Sequence, residues 1–310
     1  MPSARLAVTV CGITFPTPVI AACGTFAYGV EFDGLVDWDW LGGYVVKGLS
    51  REPIAGNPPP RLYETTAGMM NSIGLQNIGV RTFVRDKLPA LARFQRPVIA
   101  NVFGYAEDDY YEVIRVLNDA EGLAAYELNV SCPNTKHGGM FFSSDPAQLT
   151  PLVAEAKRLA RRPLIVKLSP NVAAIAPLAK AAQDAGADAL SLVNTYIGLA
   201  IDAHTRKPRV GAGYGGVSGP AIKPLALRLV HEASRAVTIP VFGCGGIASG
   251  EDAAEFMIAG AHAVQVGTAN FWDPNACPRI AHELGAMLEK EGIARASDLT
   301  GTLNWKDERR

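Results

Sequence analysis

Short apolar runs recur eight times along the 310-residue chain, and this rhythm limits the possible folds more than any other feature. The runs are "TPVIAACG" from residue 17, "GYVVKG" from 43, "PVIANVFG" from 97, "AAYELNVS" from 124, "PLIVKLSP" from 163, "ADALSLVNT" from 187, "IPVFGCGG" from 239 and "AHAVQVGT" from 261. Continuous apolar runs of this length are typical of strands covered on both faces. Helix-like stretches separate most of them, which indicates an α/β protein with a parallel sheet.

The number of strand–helix units favours a closed (β/α)8 barrel, or TIM barrel. A doubly wound open sheet is the alternative, and it is disfavoured because no G-x-G-x-x-G follows the first strand. We expect one barrel domain over residues 1–310. Within it, Ser249 with Asp252 predicts the start of a helix, and Gly260 predicts its end.

Three segments lie outside the repeating units. The alternating apolar residues before residue 17 predict a small N-terminal β-hairpin that closes the bottom of the barrel. Residues 49–78 and 196–217 are insertions, which we expect to be loops over the C-terminal face. Loops this long inside a compact domain are usually functional.

The composition excludes several classes of function. A formal net charge of −1 gives no electrostatic footprint for nucleic acid. No apolar run is long enough to span a bilayer, and the N-terminus lacks the apolar core of a secretory signal. The five cysteines form no C-x-x-C pair and the histidines show no metal spacing, so neither a metal site nor an iron–sulfur cluster is predicted. Such cysteines favour a reducing cytoplasm.

Polar residues stand where the predicted strands end. They are Cys23 with Gly24, Lys47 with Gly48, Asn101, Asn129, Lys167, Asn194 with Thr195, Gly245 with Gly246, and Gly267 with Thr268. In a (β/α)8 barrel the chemistry lies at these ends. A buried amide without a partner costs about 1–3 kcal/mol, so a bound ligand is the expected partner.

The glycine-rich segments after strands 7 and 8, "GCGGIASG" and "QVGTANF", predict a phosphate site, with tight turns as the alternative. Lys47 and Lys167 have three interpretations: a Schiff-base nucleophile, a cation that stabilises negative charge on a ring system, or the partner of a buried carboxylate. Two lysines at separate strand ends favour the electrostatic role.

Cys132 lies between two asparagines at the end of the fourth strand, in "NVSCPN". A thiol there could be a nucleophile, a proton-transfer base or a small buried hydrophobic group. The base is favoured because it needs no triad, and a free thiol has a pKa of about 8.5. Asn129 and Asn134 can bind both the N–H and the C=O edges of a planar amide ring.

The motifs "NVSCPN", "GLQN", "VNT", "GGVSGPAIKP" and "GCGGI" together resemble class 1 dihydroorotate dehydrogenase, in the order that this family has them. The segments "NTKHGG" and "AIDAHTRKPRVGAGYGGVSGP" look most like subclass 1B. The resemblance implies a catalytic subunit that holds FMN and oxidises (S)-dihydroorotate to orotate in pyrimidine biosynthesis. It also implies a homodimer within a heterotetramer, in which a partner subunit carries FAD and a 2Fe–2S cluster and passes electrons to NAD.

The resemblance also implies roles for individual residues. Cys132 is the expected base, with Lys47 and Lys167 as the other catalytic residues. The expected substrate-binding residues are Lys47, Asn71, Ser72, Ile73, Gly74, Leu75, Asn129, Asn134, Asn194 and Thr195. The expected FMN-binding residues are Cys23, Lys47, Gly48, Asn101, Asn129, Lys167, Val193, Gly219, Gly245, Gly246, Gly267 and Thr268. Residues 133–142 are expected to cover the substrate.

Cys23 departs from the family pattern, which often has Ser at this position. The segment "GGMFFSS" differs from the small residues that the family more usually has near Phe142. Three other functions stay open from the sequence. The chain could be a 1A-type homodimer that reduces fumarate, a flavin-free barrel enzyme with Lys167 as a Schiff-base residue, or a ligand-binding barrel without catalysis.

Overall fold

Eight parallel strands close into a barrel in the computed structural model, which describes residues 2–131, 133–134 and 140–305, with the backbone alone at 133, 134, 140 and 141. The barrel strands are Val19–Ala21, Gly43–Val45, Val98–Val102, Ala125–Asn129, Leu164–Lys167, Ala189–Leu192, Val241–Cys244 and Ala263–Val266. Each pairs in parallel with the next, and the eighth pairs with the first through Val264 and Val19. The predicted TIM barrel is confirmed, and every barrel strand lies inside its predicted run.

Helices pack around the outside of the barrel. The longer ones are Glu107–Asn118, Pro146–Leu159, Ala176–Asp184, Lys223–Ala236, Gly250–Ile258 and Ala276–Lys290. Residues 80–94 form a chain of short helical turns, which includes Val80–Thr82, Phe83–Lys87, Leu88–Leu91 and Ala92–Phe94. The remaining short helical segments are Val30–Phe32, Trp38–Trp40, Phe142–Ser144, Pro220–Ile222, Ala269–Trp272 and Ala296–Leu299. Within the described residues, no helix is long and apolar enough to cross a membrane.

The helix that the capping pattern predicts begins and ends as expected. The backbone N–H of Asp252 donates to the Ser249 hydroxyl at 3.1 Å, and the N–H of Ser249 donates to the Asp252 carboxylate at 2.9 Å. This reciprocal pair satisfies two of the free N–H groups at a helix start. Gly260 follows the helix with a φ of 123°, a backbone conformation that favours glycine.

A small hairpin covers the N-terminal end of the barrel, as the sequence predicts. Its strands are Val8–Val10 and Ile13–Phe15. The thiol of Cys11 donates to the carbonyl oxygen of Asp188, just before the sixth barrel strand, at 3.2 Å. Phe15 packs edge-to-face against Phe242 of the seventh strand, with ring centroids 6.1 Å apart. The hairpin therefore closes the apolar interior from below.

The two insertions lie at the other end of the barrel, but the prediction that they are loops was wrong in part. Four of their segments pair into an antiparallel sheet in the order Tyr196–Leu199, Tyr214–Ser218, Gly68–Asn71 and Leu62–Thr65. The short strands Ile201–Asp202 and Lys207–Pro208 form a further pair. The pairing of Tyr214–Ser218 with Gly68–Asn71 joins the two insertions and satisfies their backbone groups, and a pattern within one insertion does not reveal it.

Candidate active site

A cavity of about 980 Å³ opens at the C-terminal ends of the barrel strands. This volume is at the upper end of the range for small-molecule sites, so the cavity can hold a sizeable cofactor together with a small substrate. Every barrel strand contributes to its wall directly or through the loop that follows it. The antiparallel sheet of the insertions adds one side of the cavity, through Asn71 and Gly216.

A polar cluster lies beneath the cavity, inside the barrel. The carboxylate of Glu127 is fully buried, and it accepts hydrogen bonds from the side-chain amides of Asn101 and Gln265, both at 2.7 Å. The ammonium of Lys167 lies 3.6 Å from the Glu127 carboxylate and 3.4 Å from the amide oxygen of Gln265. The sequence offered three interpretations of Lys167, and the structure places it in an ion pair with a buried carboxylate.

The electrostatics of this cluster bear on the chemistry of Lys167. Burial by itself lowers the pKa of Lys167, but the carboxylate of Glu127 more than reverses this effect and raises the pKa above its usual value. A lysine nucleophile must lose its proton to attack a carbonyl group. The arrangement therefore disfavours the Schiff-base interpretation and favours a permanent cation.

The two thiols on the barrel rim are in the opposite situation. Burial raises the pKa of Cys23 to about 11, although Lys167 acts in the other direction, and burial also raises the pKa of Cys244. Both thiols are therefore protonated at neutral pH. Nucleophilic and basic cysteines need the thiolate form, so neither thiol suits such a role.

Amide side chains form one wall of the cavity. The carboxamide oxygen of Asn129 accepts from the side chain of Asn194 at 3.4 Å and from the N–H of Ser131 at 3.2 Å. The side-chain amide of Asn71 donates to the carbonyl oxygen of Gly216 at 3.2 Å. These bonds orient the three carboxamides and leave each of them with further donors or acceptors for a ligand.

The glycines at the end of the seventh strand are required by the fold. Gly245 and Gly246 have φ values of 135° and 82°, and a Cβ at Gly246 would lie 2.8 Å from the backbone nitrogen of Lys223. Gly267, after the eighth strand, differs. It lies outside the positive-φ region, and the nearest atoms to an added Cβ, on Ala22 and Thr25, would be 3.7 Å away. The tight-turn interpretation thus explains Gly245 and Gly246 but leaves Gly267 unexplained.

Most of the predicted site residues lie around this one cavity. Those that line it are Cys23, Lys47, Asn71, Ser72, Ile73, Gly74, Leu75, Asn101, Asn129, Lys167, Val193, Asn194, Thr195, Gly219, Gly245, Gly246, Gly267 and Thr268. Gly48 lies behind the wall, next to Asn101 and Phe103, and its N–H bonds the Cys23 thiol. Cys132 falls outside the described residues, as does the side chain of Asn134 and most of the segment expected to cover the substrate.

Sequence reasoning missed Glu127 and Gln265, although each is a polar residue inside an apolar strand, in "AYELN" and "AVQV". That signal was available. It also missed an apolar rim of the cavity, which includes Leu35, Phe271 and Trp272, each more than half exposed. Leu35 lies in a loop, and Phe271 and Trp272 end the short helical segment Ala269–Trp272, so none of them carries a periodic signal that a sequence pattern could reveal.

A closed barrel with a charged floor and an amide wall at its strand ends belongs to the enzymes that use this face of the barrel for chemistry on small molecules. Comparison with known proteins makes the assignment specific. A family model described as dihydroorotate dehydrogenase matches residues 5–288, so the chain belongs to the dihydroorotate dehydrogenase family. The predicted family and the predicted oxidoreductase of pyrimidine biosynthesis are confirmed at this level.

The relatives cover nearly the whole chain, but their names differ in the electron acceptor. A protein of Solibacter usitatus, named putative dihydroorotate dehydrogenase A (fumarate), is 69% identical over 97% of this chain and 99% of its own length. Proteins of Geobacter sulfurreducens and Pelobacter propionicus are 51% and 50% identical over 96% of this chain and 98% of their own length. Both are named dihydroorotate dehydrogenase B (NAD(+)), catalytic subunit.

Proposed function

We propose that the cavity binds FMN over the Lys167 cluster and that the chain oxidises dihydroorotate to orotate beside it. The observation that carries the proposal is the buried cation of Lys167 on the cavity floor, next to a wall of oriented carboxamides. The cation on the floor suits a flavin, which gains negative charge when it is reduced, and a planar imide acid, which already carries a negative charge. Both molecules also present N–H and C=O groups that the carboxamides can bind.

Three features of the chain fit FMN. The volume of about 980 Å³ is large enough for FMN and a substrate together. The carboxamide oxygen of Asn101 is buried without a hydrogen-bond partner among the described residues, as expected of a group that awaits a ligand. The fold would allow a Cβ at Gly267, and its absence leaves space for a ligand against the backbone there. The residues that would hold FMN are Cys23, Lys47, Gly48, Asn101, Asn129, Lys167, Val193, Gly219, Gly245, Gly246, Gly267 and Thr268.

When bound, FMN supplies an acceptor for the two electrons that leave C6 of dihydroorotate as hydride. The chain's own residues orient the substrate and handle its proton. Asn71, Asn129, Asn134, Asn194 and Thr195 would hold the ring and carboxylate, with residues 72–75 around them. Lys47 would add a positive charge between substrate and cofactor. Lys47 forms no ion pair among the described residues, so no carboxylate there neutralises this charge. Lys167 would stabilise negative charge on the reduced cofactor.

Cys132 completes the proposal as the base that removes the proton from C5. We expect Cys132→Ser to retain FMN but to slow its reduction by dihydroorotate at least a hundredfold, because a hydroxyl is a much weaker base than a thiol at neutral pH. Stopped-flow absorbance of the anaerobic protein measures this rate. Cys244→Ser is a matched control, because its thiol stays protonated in the cavity wall. Equal rates for Cys132→Ser and the wild type would refute the assignment.

For the electron acceptor we propose an FAD and 2Fe–2S partner subunit that passes electrons to NAD. The names of the B-type relatives support NAD as the acceptor and a catalytic subunit that works with another subunit. The apolar rim supports a docked protein, because Leu35, Phe271 and Trp272 are 53–55% exposed beside the cavity mouth. The second candidate is direct reduction of fumarate, and the name of the Solibacter relative favours it.

A visible absorption spectrum before and after anaerobic addition of dihydroorotate tests both parts of the proposal. We expect a flavin spectrum that bleaches. Addition of fumarate to the bleached chain then separates the two acceptors. Reoxidation of the flavin by fumarate, as fast as the enzyme turns over, supports fumarate as the acceptor. Reoxidation only with the partner subunit and NAD supports the B type. A chain that binds FMN but never bleaches would refute the proposed reaction.

The proposal extends to assembly and location. A homodimer is supported by an exposed apolar surface on the inserted strands, formed by Ile197, Leu199, Ile201 and Tyr214, which are 50–66% exposed. Sedimentation of the purified chain would test it. A cytoplasmic location is supported by the four described cysteines, all of which are free thiols.

A further inference from the structure

Glu127 is a buried carboxylate to which the proposed reaction assigns no role. It lies on the fourth barrel strand with no exposed surface, and it accepts two amide hydrogen bonds at 2.7 Å. A carboxylate in an apolar barrel interior is costly, and replacing a buried ion pair with apolar residues of similar size often stabilises a protein. Stability alone therefore does not account for Glu127.

The carboxylate dictates the orientation of its neighbours, because an ionised carboxylate can only accept hydrogen bonds. The NH₂ groups of Asn101 and Gln265 must therefore point towards Glu127. Their carbonyl oxygens then point away, and that of Gln265 lies 3.4 Å from the ammonium of Lys167. One side chain thus fixes two amides and a lysine below the cavity.

The pair also has a defined charge. Lys167 and Glu127 together are neutral, and the thiols Cys23 and Cys244, which face the same lysine, are protonated at neutral pH. Lys47 and Tyr28, whose phenol pKa is raised by burial, are the other titratable groups that line the cavity in the described part of the chain. Lys167 without Glu127 would be an uncompensated cation below the cavity, and it would stabilise a reduced, negatively charged flavin far more strongly.

We propose that Glu127 is a positioning residue that balances the charge of Lys167 and thereby sets the reduction potential of the bound flavin. The inference rests on the proposed function, because it assumes a flavin above Lys167. The physical consequence is that the reduced flavin can release its electrons to an acceptor. A cofactor stabilised by the full lysine charge would retain them.

Four proteins test the proposal: the wild type, E127Q, K167Q and E127Q/K167Q, each loaded with FMN. The charge of the pair is 0, +1, −1 and 0 respectively. We expect E127Q to raise the ratio of reduced to oxidised flavin about tenfold at a fixed potential, which is about 30 mV for a two-electron couple. We expect K167Q to lower the ratio by a similar factor, and the double variant to return within threefold of the wild type.

The midpoint potentials are measured with reference dyes at about pH 6, where Lys167 of E127Q stays protonated although burial lowers its pKa, and at about pH 8, where Glu127 of K167Q stays ionised although burial raises its pKa. Equal potentials for E127Q and the wild type would overturn the proposal and leave Glu127 a structural role. If E127Q does not retain FMN, K167Q against E127Q/K167Q gives the same test, since loss of the carboxylate must again raise the potential. A wild type that binds no FMN or does not bleach would instead refute the proposed function.

Discussion

Substitution of Gly267 by Ala should separate ligand binding from folding. The position has a φ that Ala can adopt, and the nearest atoms to the added methyl group are 3.7 Å away, an ordinary van der Waals distance. Loss of unfolded-state entropy should then raise the free energy of unfolding by about 0.4–1 kcal/mol. The same methyl group would stand beside Ala22 and Thr25 in the cavity wall, where the glycine-rich segments after the seventh and eighth strands predict the phosphate site of the cofactor. A displaced phosphate should weaken FMN binding at least tenfold, or by about 1.4 kcal/mol.

The assay combines urea unfolding of the FMN-free protein with titration of FMN fluorescence. Gly246→Ala is the matched control, because the same methyl group there would lie 2.8–2.9 Å from backbone atoms of Lys223 and Gly219 at a φ of 82°. We expect that control to lose at least about 1 kcal/mol of stability. Unchanged FMN affinity in a stable Gly267→Ala protein would refute the phosphate assignment.

Three further predictions concern buried polar groups. Tyr44→Phe removes a buried hydroxyl that has no recorded partner in the described structure, and it should raise the free energy of unfolding by about 1 kcal/mol. Tyr110→Phe removes a hydroxyl that donates to the Asn129 carbonyl at 2.9 Å, so it should lower the free energy of unfolding by about 1 kcal/mol. Urea unfolding measures both variants, and equal effects of the two substitutions would contradict the reasoning. With a pKa of about 11, about one Cys23 thiol in a thousand is ionised at pH 8. The rate at which iodoacetamide labels Cys23 in the FMN-free protein should therefore rise about tenfold per pH unit up to pH 10. Mass spectrometry of the labelled peptide measures this rate. Rapid labelling at pH 8 would show a thiolate.

The relation between sequence and fold was direct for the barrel. Each barrel strand is buried on both faces, so its sequence is a continuous apolar run that can be read without knowledge of its neighbours. The strands of the insertions and their pairing partners could not be predicted in this way. The strand Tyr196–Leu199 pairs with Tyr214–Ser218, and that strand pairs with Gly68–Asn71, from the other insertion. No pattern within one segment specifies such a partner.

The site followed the same division. Strand ends are local features, so Lys47, Asn101, Asn129 and Lys167 could be predicted from the sequence, and all four line the cavity. Their partners could not be assigned in the same way. Lys167 is paired with Glu127, from the neighbouring strand, and with Gln265, which is 98 residues away.

The sequence by itself determined the architecture and the family, because apolar periodicity and the motifs at strand ends are properties of short segments. The tertiary structure alone decided the electrostatics, since the charge state and orientation of a buried group depend on what surrounds it in space. Glu127 shows the difference. In the sequence it is one acidic residue in an apolar strand, and in the barrel it balances a lysine and orients two amides beneath the cavity.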